Sequence, residues 1–592
     1  MDSYNDFISF PTRRSVVHST NGIVSCTQPL AATAGLRVLQ AGGNAADAAI
    51  AAASVLGVTE PTSTGIGGDL FCLFYDAKTR TIRGLNASGR SPGALTLERA
   101  LEDLAGCPSV ETRKRMPLEH AHCVTVPGCA AGWCDVVETF GSGKLDMKEV
   151  LKDAIRLAEE GYPVHELAAR MWDECKDTLI SQGEEQAAEM LLPGNRAPRT
   201  GEVMRLPGLA KVMRRVAEKG RKGFYEGETA EKIVEAVQKR GGLLDLADLK
   251  RHGDMGSELT QPIGLEWGGL KVWECAPNGQ GIVALMALGI MEELEKTGKI
   301  GKIGESLNHN DADYLHALIE SLRIAFSDGH FFIADPATNP APLDHLLSPS
   351  YLSQRANLFS PTQCNKSLKP GSPAQRSCDT VYLSVTDRFG NGCSLINSTY
   401  GGFGSGIIPH TCGFNLQNRG GGFTLDPERP NVLAPNKRPY HTIIPGMLTT
   451  AGEQGEINLK AVFGVMGGFM QPQGHVQVLH NLIKFKHNPQ HALDAPRICI
   501  GENYDPGVPI VYLEEGVNEN VARELEKRGH EVKIVKGFKR GHFGRGQIVW
   551  VDKEEVEEPI AMEELHGNEE KKERWVFAAG SDMRGDGQSV GY

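Results

Sequence analysis

The sequence predicts a mixed α/β (α+β) globular fold, and three observations carry that prediction. Residues 31–58 hold two helical patterns separated by a glycine break, and residues 70–75 form an apolar strand segment. A long helical region over 147–251 follows. Beyond it, residues 381–398 alternate in the manner of a β-hairpin.

Each element has a local reason. Gly42-Gly43-Asn44 ends the first helix, and the Ala-rich run 45–58 starts the second. That run is too short to span a membrane and contains Asp47, so it reads as a buried helix. Gly65-Ile66-Gly67-Gly68-Asp69 turns the chain into the strand at 70–75. Apolar stripes such as Ile233, Val234 and Val237 mark the helical region, and 314–326 reads as another amphipathic helix. Residues 296–310 and 360–377 read as loops, the second rich in Pro, Ser and Lys. It ends at Cys378-Asp379-Thr380. A β-branched strand over 381–387, a turn over 388–392 and a second strand over 393–398 come next. Residues 552–574, dense in Glu and Lys, read as a solvated excursion between strands at 546–551 and 575–579.

Composition narrows the class. The chain has 592 residues, 40% of them hydrophobic, which is ample for a large core. A net charge of −12 argues against nucleic acid or an anionic membrane as partner, since both favour a basic surface. The opening Met1-Asp2-Ser3-Tyr4 lacks a basic region followed by an apolar stretch, so a cytoplasmic protein is expected. Thirteen cysteines stand without CxxC pairs or metal-ligand spacing, so no disulfide framework, metal or cofactor is expected.

Thr380 carries the first chemical expectation. A threonine hydroxyl is a weak nucleophile without an adjacent base. If threonine is the chain terminus, its own α-amine supplies that base. A threonine opening a strand directly after a loose linker is placed for this role, although an isolated Asp-Thr pair is more often an ordinary strand start.

The surrounding motifs resemble the γ-glutamyltransferase (glutathione hydrolase) family of N-terminal-nucleophile hydrolases. Leu39-Gln40-Ala41-Gly42-Gly43-Asn44-Ala45-Ala46-Asp47, Gly65 to Asp69, Val126-Pro127-Gly128 and Pro277-Asn278-Gly279-Gln280-Gly281 occur in family order. Phe403-Gly404-Ser405-Gly406, Pro435-Asn436-Lys437-Arg438-Pro439, Gly464-Val465-Met466-Gly467-Gly468, Asp494-Ala495-Pro496-Arg497 and Gly580-Ser581-Asp582 follow. The resemblance implies a four-layer αββα sandwich and self-cleavage between Asp379 and Thr380. The products would be a heavy chain, 1–379, and a light chain, 380–592, which remain together. It further implies that Ser398 hydrogen-bonds the nucleophile and that Gly467 and Gly468 form the oxyanion hole. Small amide or γ-glutamyl substrates are expected, with acyl transfer to water or an amine.

The chain also departs from that family. The arginine that holds a γ-glutamyl α-carboxylate falls on Ser88, with Arg90 two residues on. The acidic pair that holds the α-amine falls on Gly421 and Gly422. His441-Thr442 replaces paired serines, and the 423–437 connection is shorter than a covering lid. These features resemble the family branch of small-amide hydrolases and cephalosporin-acylase-like enzymes. Arg419, Arg438 and Arg90 are therefore candidates for a substrate carboxylate, because guanidinium suits planar anions. His441 and Thr442 are candidate pocket-lining residues. An alternative is a hydrolase of amides without an α-amino group, of oxamate or glutaryl type. Alternatives of other classes are an inactive, uncut scaffold and a nucleotide-binding α/β protein. The second is disfavoured because Gly65-Ile66-Gly67-Gly68 lacks the GxGxxG spacing and precedes a strand.

Overall fold

The structure is a computed structural model that describes residues 14–368, 379–452, 455–501, 510–556 and 572–592. Two seven-stranded sheets lie face to face, and helices cover both outer faces. This is the expected αββα sandwich.

One sheet runs in the order Gln588–Gly591, Gly22–Cys26, Asp379–Asp387, Gly392–Tyr400, Asp69–Asp76, Thr81–Ala87, Glu258–Thr260. The other runs Val17–Ser19, Lys572–Ser581, Arg545–Val556, Ile457–Met466, Gly446–Ala451, Leu270–Glu274, Ile263–Trp267. Both sheets therefore combine strands from before and after Thr380.

Period-two alternation sorts the side chains between layers. Along Asp69–Asp76, Leu70, Cys72 and Phe74 join the outer helical core. Phe71, Leu73 and Tyr75 face the core between the sheets, where they meet Tyr382, Ile396, Met447, Val462 and Val549. Helices Gly281–Lys296, Ala312–Phe332 and Met470–Leu479 pack on the other sheet through Leu448, Phe463 and Ile548.

The first helical pair forms as Pro29–Gln40 and Ala45–Thr59, and every residue of the second is buried. Asn44 starts that second helix. Its side chain accepts from Ala46 N at 3.0 Å and Asp47 N at 3.2 Å, while Asp47 Oδ2 accepts from Asn44 N at 3.0 Å. Such a reciprocal cap stabilises a helix by about 1 kcal/mol. The predicted hairpin is Asp379–Asp387 with Gly392–Tyr400. The charged segment continues two paired strands, Arg545–Val556 and Lys572–Ser581, further outward than the sequence indicates. Residues 557–571 of that segment and residues 369–378 of the linker lie outside the described residues.

Candidate active site

Thr380 sits on a β-bulge. Asp379 pairs with Tyr400 and Val381 with Asn397, so Ser398 and Thr399 together face the single residue Thr380. A bulge of this kind re-aims side chains next to the extra residue. Here it brings Thr380 Oγ1 and Ser398 Oγ to 3.1 Å, both wholly buried. Ser398 Oγ also accepts from Tyr400 N at 2.9 Å and from Arg419 Nη2 at 3.2 Å. Tyr400 holds a left-handed backbone, φ 77°, at the end of the hairpin.

Arg419 opens a single helical turn, Arg419–Gly422, and has 0% exposure. Its Nη1 donates to Thr442 Oγ1 at 2.8 Å, and its guanidinium carbon lies 4.2 Å from the centre of the Tyr400 ring. Asp69 brings a carboxylate to it, with Oδ2 at 3.9 Å from Nε. Asp69 pairs across the sheet with Ser398, so one register fixes the neighbour of Thr380 and a counter-charge for the arginine.

Asp69 is held from all sides. Its Oδ1 accepts from Gly89 N at 3.0 Å and Gly128 N at 3.2 Å, and its Oδ2 meets His441 Nε2 at 3.2 Å. Only glycine permits this approach. A Cβ on Gly89 would lie 1.6 Å from Val126 O, and one on Gly128 would lie 1.9 Å from Ala87 O. A carboxylate only accepts, so His441 Nε2 carries the proton, and Nδ1 accepts from Ile443 N at 3.4 Å. Burial, aided by the Arg419 charge, holds His441 down to a pKa of about 4. The imidazole is neutral at pH 7 with both nitrogens engaged. That is the arrangement of a packing group, not of a base facing Thr380.

The glycine pair is reached along the facing strand. Ser384 Oγ donates to Val462 O at 3.2 Å, and a Cβ on Gly464 would meet the Tyr382 ring at 2.5 Å. Beyond these contacts the strand Ile457–Met466 ends. There Gly467 (φ 128°) and Gly468 (φ 59°) turn the chain into helix Met470–Leu479. Gln280 ties this turn to the cluster, since its Nε2 donates to Gly468 O at 2.9 Å and Thr442 O at 2.7 Å.

The other predicted arginines make different contacts. Arg438 pairs with Glu258 and donates from Nε to Ser88 O at 3.1 Å. Arg90 lines a separate cleft with Arg251, His252, Met255 and Asn436. Among the described residues, neither hydrogen-bonds to Thr380, Ser398 or Arg419. Ser88 Oγ accepts from Asn278 Nδ2 at 3.1 Å. Gly422 lies so close to Tyr440 that a Cβ there would be 2.6 Å from the Tyr440 carbonyl.

Sequence reasoning left Asp69, Tyr400 and Gln280 without roles. An acid at the edge of a wholly apolar strand was the available signal for Asp69, because such a carboxylate is buried with partners. Tyr400 follows Ser398 by two, the spacing of one sheet face. Among the described residues, no group of three or more His, Cys, Asp and Glu is arranged to hold a metal ion. No helix among them is long and apolar enough to cross a membrane.

The sequence and the fold are similar to those of known proteins. A family model described as Gamma-glutamyltranspeptidase matches residues 31–592. The chain is 31% identical to the glutathione hydrolase-like YwrD proenzyme of Bacillus subtilis, over 98% of this chain and 99% of that one. It is 30% identical to the oxamate amidohydrolase proenzyme of Klebsiella pneumoniae, over 90% of this chain and 95% of that one. The crystal structure of cephalosporin acylase from Bacillus halodurans superposes with a TM-score of 0.82 and 39% identity, covering 98% of both chains.

Proposed function

This chain belongs to the gamma-glutamyltranspeptidase family, and on that premise we propose that it is a precursor cut between Asp379 and Thr380 whose new terminal threonine transfers acyl groups from amides. The observation that carries this reading is the buried 3.1 Å contact between Thr380 Oγ1 and Ser398 Oγ, at the start of the hairpin.

In the cut, Thr380 Oγ attacks the Asp379 carbonyl carbon. The C–N bond breaks as the nitrogen takes a proton, which leaves an ester between Asp379 and the threonine oxygen. Water splits that ester, releasing the Asp379 carboxylate and a threonine with a free α-amine and hydroxyl. The pieces 1–379 and 380–592 stay together because each sheet is built from strands of both. Each large side chain buried between them contributes about 1.5–3 kcal/mol, and one broken peptide bond removes none of that burial.

In turnover, the α-amine takes the Thr380 hydroxyl proton as the oxygen attacks the amide carbonyl. The N–H groups of Gly467 and Gly468 meet the developing oxyanion. The amine leaves with the proton, and water or a second amine then takes the acyl group from Thr380.

The acyl group follows from what the site lacks. Gly421 and Gly422 bring no carboxylate to an α-ammonium, and Ser88 brings no cation to an α-carboxylate. An unpartnered ammonium loses about 2–3 kcal/mol, or roughly 30- to 150-fold in kcat/KM. Acyl groups without an α-amine avoid that loss, in keeping with the oxamate amidohydrolase among the relatives. The test is kcat/KM for glutaryl-p-nitroanilide against γ-glutamyl-p-nitroanilide in one preparation. Glutaryl turnover should be the faster. A γ-glutamyl preference of tenfold or more would sink the acyl assignment.

A further inference from the structure

We infer that Gln280 is a positioning residue that holds the turn Gly467-Gly468 in the conformation that presents its N–H groups to the reacting carbonyl. Its role rests on that turn being the oxyanion site, as proposed above, and concerns what keeps the turn in place.

A side-chain amide has two N–H donors and a carbonyl oxygen that accepts. Gln280 uses each of them. Its Nε2 donates to Gly468 O at 2.9 Å and to Thr442 O at 2.7 Å, and its Oε1 accepts from the Tyr440 hydroxyl at 2.9 Å. The opposite orientation of the amide would set its oxygen against two carbonyl oxygens, so these partners admit one orientation. The side chain is wholly buried, and its backbone is anchored as well. Gln280 N donates to His441 O at 3.1 Å, and His441 N donates to Asn278 O at 2.9 Å. Glycines on either side permit this seat. A Cβ on Gly279 would lie 2.9 Å from the Phe71 ring, and one on Gly281 would lie 2.6 Å from Glu274 Cβ.

The turn needs such a hold. Gly467 and Gly468 stand at φ 128° and 59°, and a glycine backbone leaves such a conformation as readily as it enters it. Met470 N donates to Gly467 O at 3.0 Å and Gln471 N to Gly468 O at 3.2 Å. Both bonds stay within the turn and the helix that follows it. Gln280 adds a bond from outside, and one rigid amide then ties Gly468 to Thr442. The N–H and the carbonyl of Gly468 flank a single Cα, so holding the oxygen restricts the rotation that would swing the N–H away. An oxyanion donor acts only when it is already aimed, and one such donor is worth about 10²- to 10³-fold in kcat. Gln280 lies before the proposed cut and its three partners lie after it. The heavy chain would thus set the geometry of a turn that the light chain supplies.

Two variants test this in processed protein, through kcat and KM for glutaryl-p-nitroanilide at pH 5 and pH 9, with melting curves to establish folding. Gln280→Met keeps the length and removes the three side-chain bonds. It should lower kcat by about tenfold or more with KM changed less than twofold, a part of the effect of one oxyanion donor. Gln280→Glu keeps the shape and makes the bond depend on a proton. A buried carboxyl facing two carbonyl oxygens keeps its proton to higher pH, and only the protonated form donates. Its kcat relative to wild type should therefore be about threefold or more higher at pH 5 than at pH 9. His441, with a pKa of about 4, and the buried Glu274–His475 pair are common to both proteins and cancel in the ratio. A wild-type kcat for Gln280→Met, a loss carried by KM alone, or a flat ratio for Gln280→Glu would each overturn the inference. Where Gln280→Met does not fold, Gln280→Glu decides. A Gln280→Glu chain that fails to fold or to cut at pH 5 places the residue in folding and overturns the inference too. Failure of the oxyanion reading shows in wild type, as turnover of the thioanilide analogue as fast as the anilide, since sulfur accepts hydrogen bonds weakly. Failure of the nucleophile assignment shows as a Thr380→Ala precursor that still cuts.

Discussion

Two regions meet at Arg419 and differ in what they retain. On one side, Thr380, Ser398, Gly467 and Gly468 keep residue types suited to acyl transfer, on a bulged hairpin and a glycine turn. On the other, the proposed reading finds glycines at 421 and 422 and a serine at 88 in place of an acid and an arginine that would hold a γ-glutamyl group. The chemical half depends on backbone register, which tolerates little change. The recognition half depends on side chains at turns, which change without moving a strand. On the proposed reading, reaction and acyl specificity are therefore separable.

Substitutions test that separation from each side. The largest effect belongs to the chemical half. Ser398→Ala should lower kcat about 10- to 150-fold, with KM changed less than twofold, as expected for a group that acts on the reacting oxygen. Steady-state kinetics on fully processed protein checks this, and an unchanged kcat removes Ser398 from the machinery. A smaller effect probes recognition. Gly422→Asp puts an acid at the position of the missing clamp, but its Cβ would lie 2.6 Å from the Tyr440 carbonyl. It should cost about 1–3 kcal/mol by overpacking, read as a lower melting temperature, without raising γ-glutamyl turnover. A stable variant with improved γ-glutamyl turnover would mean that the two halves are joined by side-chain identity alone.

The smallest effect is on pH dependence. His441 titrates near 6.5 when unfolded and near 4 in the fold. Its contribution to stability is therefore present above about 6.5 and lost as pH falls toward 4. His441→Gln should lose less of its melting temperature between pH 7 and pH 5 than wild type does. Asp494, raised to about 7 chiefly by burial, works in the opposite sense and favours folding at low pH. The difference between the two proteins is thus the readout. Identical slopes would remove His441 from the account.

Much of this was legible in the sequence, because the relevant forces are local. The glycine break at Gly42-Gly43-Asn44, the apolar run of Leu70 to Tyr75 and the hairpin around residues 388–392 each declare themselves within a few residues. Thr380 and Ser398 were identifiable through their motifs. The bulge was not, since it depends on how Tyr400 and Asn397 register against Asp379 and Val381 across the sheet. Asp69 was hidden for the same reason. Its partners Gly89, Gly128 and His441 come from distant segments, and their glycines matter through close approach rather than turn chemistry. Arg419 was recognised as a cation near the site, yet whether a buried guanidinium faces substrate or scaffold is a packing question that no spacing encodes.

The central claim is that Thr380 becomes a chain terminus by its own chemistry. Intact mass and amino-terminal sequencing of purified wild type beside Thr380→Ala test it most directly. The account predicts two fragments from wild type, one beginning at Thr380, and a single uncut chain from Thr380→Ala. A wild-type terminus at any other residue, or a Thr380→Ala protein cut at the same bond, would contradict it.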